Sequence, residues 1–221
     1  DLIVAELGEL ADAIGDGRRT EIVDAGVELK IEDLIADEAS LITITRGGYI
    51  KRVATAAYRA QRRGGKGVTG IETKEEDFVE HLFSVSTHDY LLFFTERGNL
   101  HWLKAYEIPE GTRQAKGKSI ANLLRIPADD HVAALLRVRE FTEGRAIVMA
   151  TERGVVKKTA LTAFSHPRKG GIIAIGVDEG DRLTHVKLTE GHHEVILVTS
   201  EGKSIRFAEE DVREMGRGAR G

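Results

Sequence analysis

Hydrophobic and polar positions alternate along most of this chain, and the alternation restarts four times. Leu41–Arg52 reads as a strand, a glycine turn and a second strand, and the same order recurs at Leu91–Trp102, Ile147–Lys158 and Ile196–Arg206. The turn glycines Gly48, Gly98, Gly154 and Gly202 lie 50, 56 and 48 residues apart. A tight hairpin needs a residue that tolerates positive φ at that point. Only the first segment has helical spacing. Ile3, Leu7, Leu10 and Ile14 fall on one helical face, and Gly15-Asp16-Gly17 ends it. The acidic stretch Glu21 to Glu38 then reads as a strand-like connector into the next domain.

Each hairpin is followed by a second glycine element with basic neighbours, centred on Gly65, Gly117, Gly170 and Gly218, at spacings of 52, 53 and 48 residues. A period of roughly fifty residues built from short strands is the mark of blades arranged around an axis. Helical solenoids are excluded, because no 3.6-period segment of useful length recurs after Gly17. The alternation predicts that each sheet buries one face against its neighbour. The three prolines, Pro109, Pro127 and Pro167, fall between hairpins, where a missing donor costs least. The fourth repeat breaks off within its basic element, and the chain starts at Asp1 rather than Met. A closed ring takes more blades, so the expectation is a fragment of something longer.

Length and composition add bounds. The 221 residues suffice for one large domain or a domain with an appendage, and 41% hydrophobic residues support a sizeable core. No apolar run approaches the ~18 residues of a membrane span, and no signal peptide is visible. Without cysteine there is neither a disulfide nor a thiolate metal site, which fits a reducing cytosol. The net charge of −4 is unevenly spread. Residues 1–40 hold 12 acids and three bases, net −9; the rest holds 29 bases and 24 acids, net +5.

The basic side is concentrated further. Between Leu41 and Gly70 there are seven Lys/Arg and no acid. Within that window Gln61-Arg62-Arg63-Gly64-Gly65-Lys66-Gly67 packs three cations and three glycines into seven residues. Glycine lets the backbone approach closely, so such a loop can bring N–H groups and cations to phosphates. Comparable elements follow in every repeat: Arg113 to Lys118 with Lys116, Pro167 to Gly171 with Arg168 and Lys169, and Gly216 to Gly221 with Arg217 and Arg220. Hairpin cations Arg46, Lys51, Arg52, Lys104, Lys157, Lys158, Lys203 and Arg206 add to them. The plain alternatives are a solvated loop kept for solubility, and edge-strand charge that blocks aggregation. Recurrence at one place on each blade favours a basic stripe on the rim of a disc, suited to a curved DNA path gripped through its backbone.

Other chemistry finds little support. No pair among the eight histidines has the spacing of a helical metal motif, and His192-His193 reads as a turn, so no metal is expected. Gly117-Lys118-Ser119 has Thr112 where a phosphate loop needs its first glycine. There is no nucleophile elbow, none of the four tyrosines stands in a nucleophile context, and Trp102 reads as a packing residue.

Gln61 to Gly67 agrees at all seven positions with the box heptad of the DNA gyrase A-subunit family, and the chain resembles that family over essentially its whole length. Gly15 to Ile22 resembles the end of its breakage–reunion region, and Ile31 to Asp37 resembles the entry to its C-terminal domain. The resemblance implies residues 1–36 as the end of the helical region with a connector, and 37–221 as an incomplete all-β domain of about four repeats. That domain would be a β-pinwheel, a six-bladed relative of the propeller whose blades exchange strands, preceded by a short α-helix. It implies double-stranded DNA wrapped with a fixed hand around the rim and fastened by Gln61 to Gly67. It also implies a B subunit supplying ATP and Mg2+, an A2B2 assembly, net negative supercoiling and a cytoplasmic setting. The family's catalytic tyrosine and its neighbouring arginine are not in this chain, so the chain alone does not cleave DNA and carries no cofactor. Two rivals remain: the corresponding domain of topoisomerase IV, which typically has a degraded box, and a non-enzymatic propeller scaffold.

Overall fold

The computed structural model describes residues 2–17, 19–20, 31–58, 77–127 and 129–221. The chain divides into two compact units, residues 1–34 and 35–221. In the first unit α1 spans Leu2–Ile14, the predicted helix, followed by a single 3-10 turn at Ile31–Leu34. That turn departs from the strand expected there. Ile31–Leu34 has no partner strand among the described residues, and polar Glu32 and Asp33 favour a local turn over an unpaired strand. Most of the expected connector, residues 21–30, lies outside the described residues.

Among its described residues, the second unit is all β apart from short helical turns. Its first sheet holds β1 (Ala39–Thr45), β2 (Tyr49–Ala54), β3 (Val79–Ser86) and β6 (Lys118–Ser119), in the order β3-β1-β2-β6. The second holds β4 (Tyr90–Thr95), β5 (Asn99–Lys104), β7 (Val132–Val138) and β10 (Ile172–Ile173), in the order β10-β5-β4-β7. The third is β11-β8-β9, built from β8 (Ala146–Thr151), β9 (Val156–Ala160) and β11 (Leu183–Thr189). The last is the hairpin β12 (Glu194–Val198) and β13 (Ser204–Ala208). A five-residue helix, α2 (Ile120–Leu124), follows β6.

The four predicted hairpins are present, and one turn design builds them. The N–H of Gly48, Gly98, Gly154 and Gly202 donates to the carbonyl of Thr45, Thr95, Thr151 and Thr199, at 2.9–3.0 Å. The same four threonine hydroxyls accept from the N–H just after each turn glycine, at 3.1–3.3 Å. A three-residue loop ending in a left-handed glycine follows from that spacing.

Strand exchange sets the architecture. In each complete blade the hairpin and the following long strand come from one repeat, and the short fourth strand comes from the next. Thus β6, just past the second basic glycine loop, pairs with β2 through Tyr49↔Ser119 and Ile50↔Lys118. Likewise β10 pairs with β5 through Ile172↔Leu100 and Ile173↔Asn99.

The core lies between sheets, on both faces of the middle blades. Leu91 and Phe93 of β4 join Ile42, Ile44, Ile50 and Leu135 between the first two sheets. Leu92 and Phe94 join Ile147, Met149, Phe164 and Leu183 between the second and third. One buried face per sheet was therefore too few for the middle blades. A strand covered on both sides loses its alternation, as the run Leu91-Leu92-Phe93-Phe94 shows. In the fourth repeat, Ile196, Val198 and Ile205 stand exposed.

Candidate nucleic-acid interface

Among the described residues, the basic glycine loops are held to the blades by close backbone approach. Gly117 has φ +89°, and a Cβ there would lie 2.5 Å from the Ile50 carbonyl oxygen. Gly171 has φ +78°, and a Cβ there would meet the His101 ring at 2.6 Å. Only glycine fits both constraints. The fourth-repeat loop lies along the third blade in the same way. Met215 N–H donates to Lys158 O at 2.8 Å and Gly176 N–H to Ala219 O at 3.0 Å. The second-repeat loop matches it, with Gly111 N–H donating to Arg52 O at 2.9 Å. Each of these three loops is thereby seated on the blade before it.

The predicted cations separate into groups. Arg46, Lys118, Arg168 and Lys169 are exposed. The Arg46 guanidinium sits 5.6 Å from the centroid of the Phe78 ring. Arg113, Lys116 and Arg217 are half-buried, with the Lys116 ammonium 3.7 Å from the centre of the Tyr49 ring. Lys203, Arg206 and Arg220 are exposed but paired: Lys203 with Glu201 at 3.4 Å, Arg206 with Glu194 at 2.5 Å, and Arg220 with Asp178. Exposed pairs of this kind are worth about 0–1 kcal/mol, so a phosphate can replace the carboxylate at little cost.

Arg52, Lys104 and Lys158 point into the structure. Arg52 donates to Ile108 O and to the Glu110 carboxylate, Lys158 to Glu209 O at 2.8 Å, and Lys104 to His88 O at 2.9 Å. Lys51 and Lys157 are corrections. They are 1% and 0% exposed, and their ammonium groups are spent on backbone carbonyls, so neither lies on a phosphate-facing surface. Burial pushes both pKa values down, Lys157 to about 8. Gln61, Arg62, Arg63, Gly64, Gly65, Lys66 and Gly67 lie outside the described residues.

Sequence reasoning passed over residues that shape the rim. His101 occupies the position of Lys51 and Lys157 in the second blade, three residues past its turn glycine, and is 6% exposed. Asp77, Asp130 and Asp181 accept the N–H of Gly47, Arg97 and Arg153, steadying three hairpin tips. Alignment of the repeats on their turn glycines exposes the first; the aspartates lie some thirty residues from the turns they close, with no local signal. Arg139 ties Asp37 at 2.7 Å and the Ser86 hydroxyl at 2.7 Å, joining the entry of the unit to the second blade. That contact, with the Ser86 hydroxyl donating to the same carboxylate, lowers the Asp37 pKa to about 2. Among the described residues no cluster of His, Cys, Asp and Glu could hold a metal ion, and no helix is long and apolar enough to cross a membrane.

Known proteins with this arrangement are consistent. The chain is 47% identical over its whole length to the A subunit of DNA gyrase from Salmonella typhimurium, and 44% identical to the one from Clostridium acetobutylicum. It spans about a quarter of the length of each, 25% and 26%. Among solved structures, the C-terminal domain of DNA topoisomerase IV superposes with a TM-score of 0.73 at 29% identity, over 85% of this chain and 57% of that one. The DNA gyrase A C-terminal domain gives 0.64 at 26% identity, over 83% and 59%. The β-pinwheel reading of the topology agrees with both. The family of the DNA gyrase C-terminal domain, beta-propeller, matches at residues 39–86, 89–139, 146–190 and 193–221, one match for each repeat of strands and basic loop, and the chain belongs to that family.

Proposed function

We propose that this chain binds double-stranded DNA along the basic glycine loops of successive blades and wraps it with one hand, as part of an ATP-dependent type II topoisomerase that introduces negative supercoils. One observation carries the reading: the loops of the second and fourth repeats are seated on the preceding blade by equivalent backbone contacts, at Arg52 and at Lys158. A cation set repeated by the fold, rather than scattered, follows a curved polyanion. Bending 20–30 bp through 40–90° costs roughly 1–6 kcal/mol, so several separated contacts are needed to hold a wrap. The DNA-facing set is Arg46, Arg113, Lys116, Lys118, Arg168, Lys169, Lys203, Arg206, Arg217 and Arg220, with Gln61 to Gly67 as the strongest anchor. In this assembly a B subunit supplies ATP and Mg2+, a second copy of the gyrase A chain completes A2B2, and the setting is the cytoplasm. The intact heptad and the gyrase relatives favour gyrase over topoisomerase IV.

The salt dependence of DNA affinity tests this. Phosphate contacts release counterions, so log K falls linearly with log salt. Arg168→Ala with Lys169→Ala is expected to reduce that slope by about two. Replacing Arg62, Arg63 and Lys66 by alanine is expected to abolish supercoiling by the complete enzyme and spare relaxation. A salt-independent affinity, or equal loss of both activities, would refute the wrapping role.

A further inference from the structure

Two lysines are fully buried in a molecule whose other described lysines reach solvent at least in part. Lys51 on β2 and Lys157 on β9 hold the same place, three residues past a turn glycine. Each faces the basic loop of the following repeat. Lys51 Nζ donates to Thr112 O at 3.2 Å and to Arg113 O. Lys157 Nζ donates to Ala174 O at 2.8 Å, Arg217 O at 2.5 Å and Ala219 O at 2.9 Å. Both ammonium groups thus draw loop carbonyls inward.

The consequence lies on the other side of each peptide. In a trans peptide C=O and N–H point in opposite directions. With the carbonyls of Thr112, Arg113, Arg217 and Ala219 turned inward, the N–H groups of Arg113, Gln114, Gly218 and Arg220 turn outward. Among the described residues none of these four donates to a backbone carbonyl. Outward N–H groups beside Arg113, Lys116 and Arg220 bring backbone donors and cations together, the combination that binds phosphate oxygens. The second blade supplies a contrast. His101 stands at the lysine position and packs against Gly171, and the loop there presents the exposed side chains Arg168 and Lys169 instead.

We propose that Lys51 and Lys157 are positioning residues for DNA wrapping, whose buried ammonium groups orient the basic loops of the second and fourth repeats so that backbone N–H groups and cations face the phosphates together. This rests on the DNA-binding reading above.

The test uses Lys51→Met and Lys157→Met in the intact protein, with hydrogen exchange of residues 111–119 and 214–221 and DNA affinity across salt concentrations. Lys51→Met is expected to speed exchange in 111–119 only, Lys157→Met in 214–221 only. Each is expected to lower the salt slope by two or more, because a whole loop lets go. A slope loss of about one with unchanged loop exchange would mean a direct phosphate contact and overturn the proposal. Faster exchange with unchanged DNA binding would mean a purely structural role and overturn it too. Should either variant fail to fold, lysine acylation of the unmodified protein decides. Lys51 and Lys157 are expected to stay unreactive with or without DNA, while Lys118 and Lys169 react and DNA shields them. If Lys51 and Lys157 react as fast as Lys118, the positioning proposal fails. If DNA shields no lysine, the DNA-binding reading fails instead.

Discussion

Gly117→Ala separates two reasons for glycine in one chain. Gly117 and Gly154 have nearly the same left-handed backbone, φ +89° and +86°. An alanine in that region costs about 1–2 kcal/mol for its dihedral alone. At Gly154 a Cβ meets nothing within 4 Å, so the dihedral cost is the whole cost. At Gly117 the Cβ would sit 2.5 Å from Ile50 O, 2.8 Å from Ile50 C and 3.2 Å from Lys51 Cβ. Those are backbone and buried atoms, and Ile50 is only 1% exposed, so β2 cannot give way. The loop moves instead and the β2–β6 pairing is lost. That ladder joins Tyr49 to Ser119 and Ile50 to Lys118; roughly two hydrogen bonds at about 1 kcal/mol each bring the total to roughly 3–4 kcal/mol. Urea unfolding with unchanged m gives both values. DNA affinity is expected to fall for Gly117→Ala and hold for Gly154→Ala. Equal destabilisation by the two variants, within about 0.5 kcal/mol of each other on the same scale, would refute the account of how the loop is seated.

Three further outcomes follow from the packing and the charges. Phe164 is fully buried, with its ring edge-on to Phe94 at 6.4 Å, and Phe164→Ala is expected to cost about 3–5 kcal/mol in chemical denaturation. Asp37 has its pKa lowered to about 2 by Arg139, so its contribution is present above the ordinary carboxylate value of 3.8 and is lost as pH falls through about 2. A carboxyl titration by NMR is expected to show that midpoint, and Arg139→Ala to return it toward 3.8. Burial lowers the His101 pKa below 6.5, so the unfolded chain takes up that proton first. Stability is then full above pH 6.5 and declines as pH falls through it; His101→Phe is expected to flatten that part of a pH–stability profile.

The hairpins were legible because their causes are local. A threonine, two polar or glycine residues and a closing glycine build each turn within a few residues, and the flanking strands carry their own pattern. The roughly fifty-residue period made the blades legible for the same reason. Strand exchange was not legible in the residues themselves. The strands β6 and β10 are two residues long and too short for a period, and only the family resemblance implied them. The fate of the lysines was hidden by distance. Lys51 and Lys158 are both cations after a hairpin turn, yet the carbonyls that bury Lys51 lie some sixty residues away. The run Leu91 to Phe94 carried a signal read only in part, since four consecutive apolar residues already imply a strand covered on both faces. The basic loops were found because glycine and cations recur at one spacing, though recurrence could not say which cations face outward.

The central claim is that the repeated basic loops wrap DNA with one hand, and DNA topology after ligation tests it most directly. The intact protein is bound to nicked circular DNA, the nick is sealed, the protein is removed and the linking number is counted. The account predicts a positive shift, lost when Arg62, Arg63 and Lys66 are neutralised. Binding without any shift in linking number would contradict it.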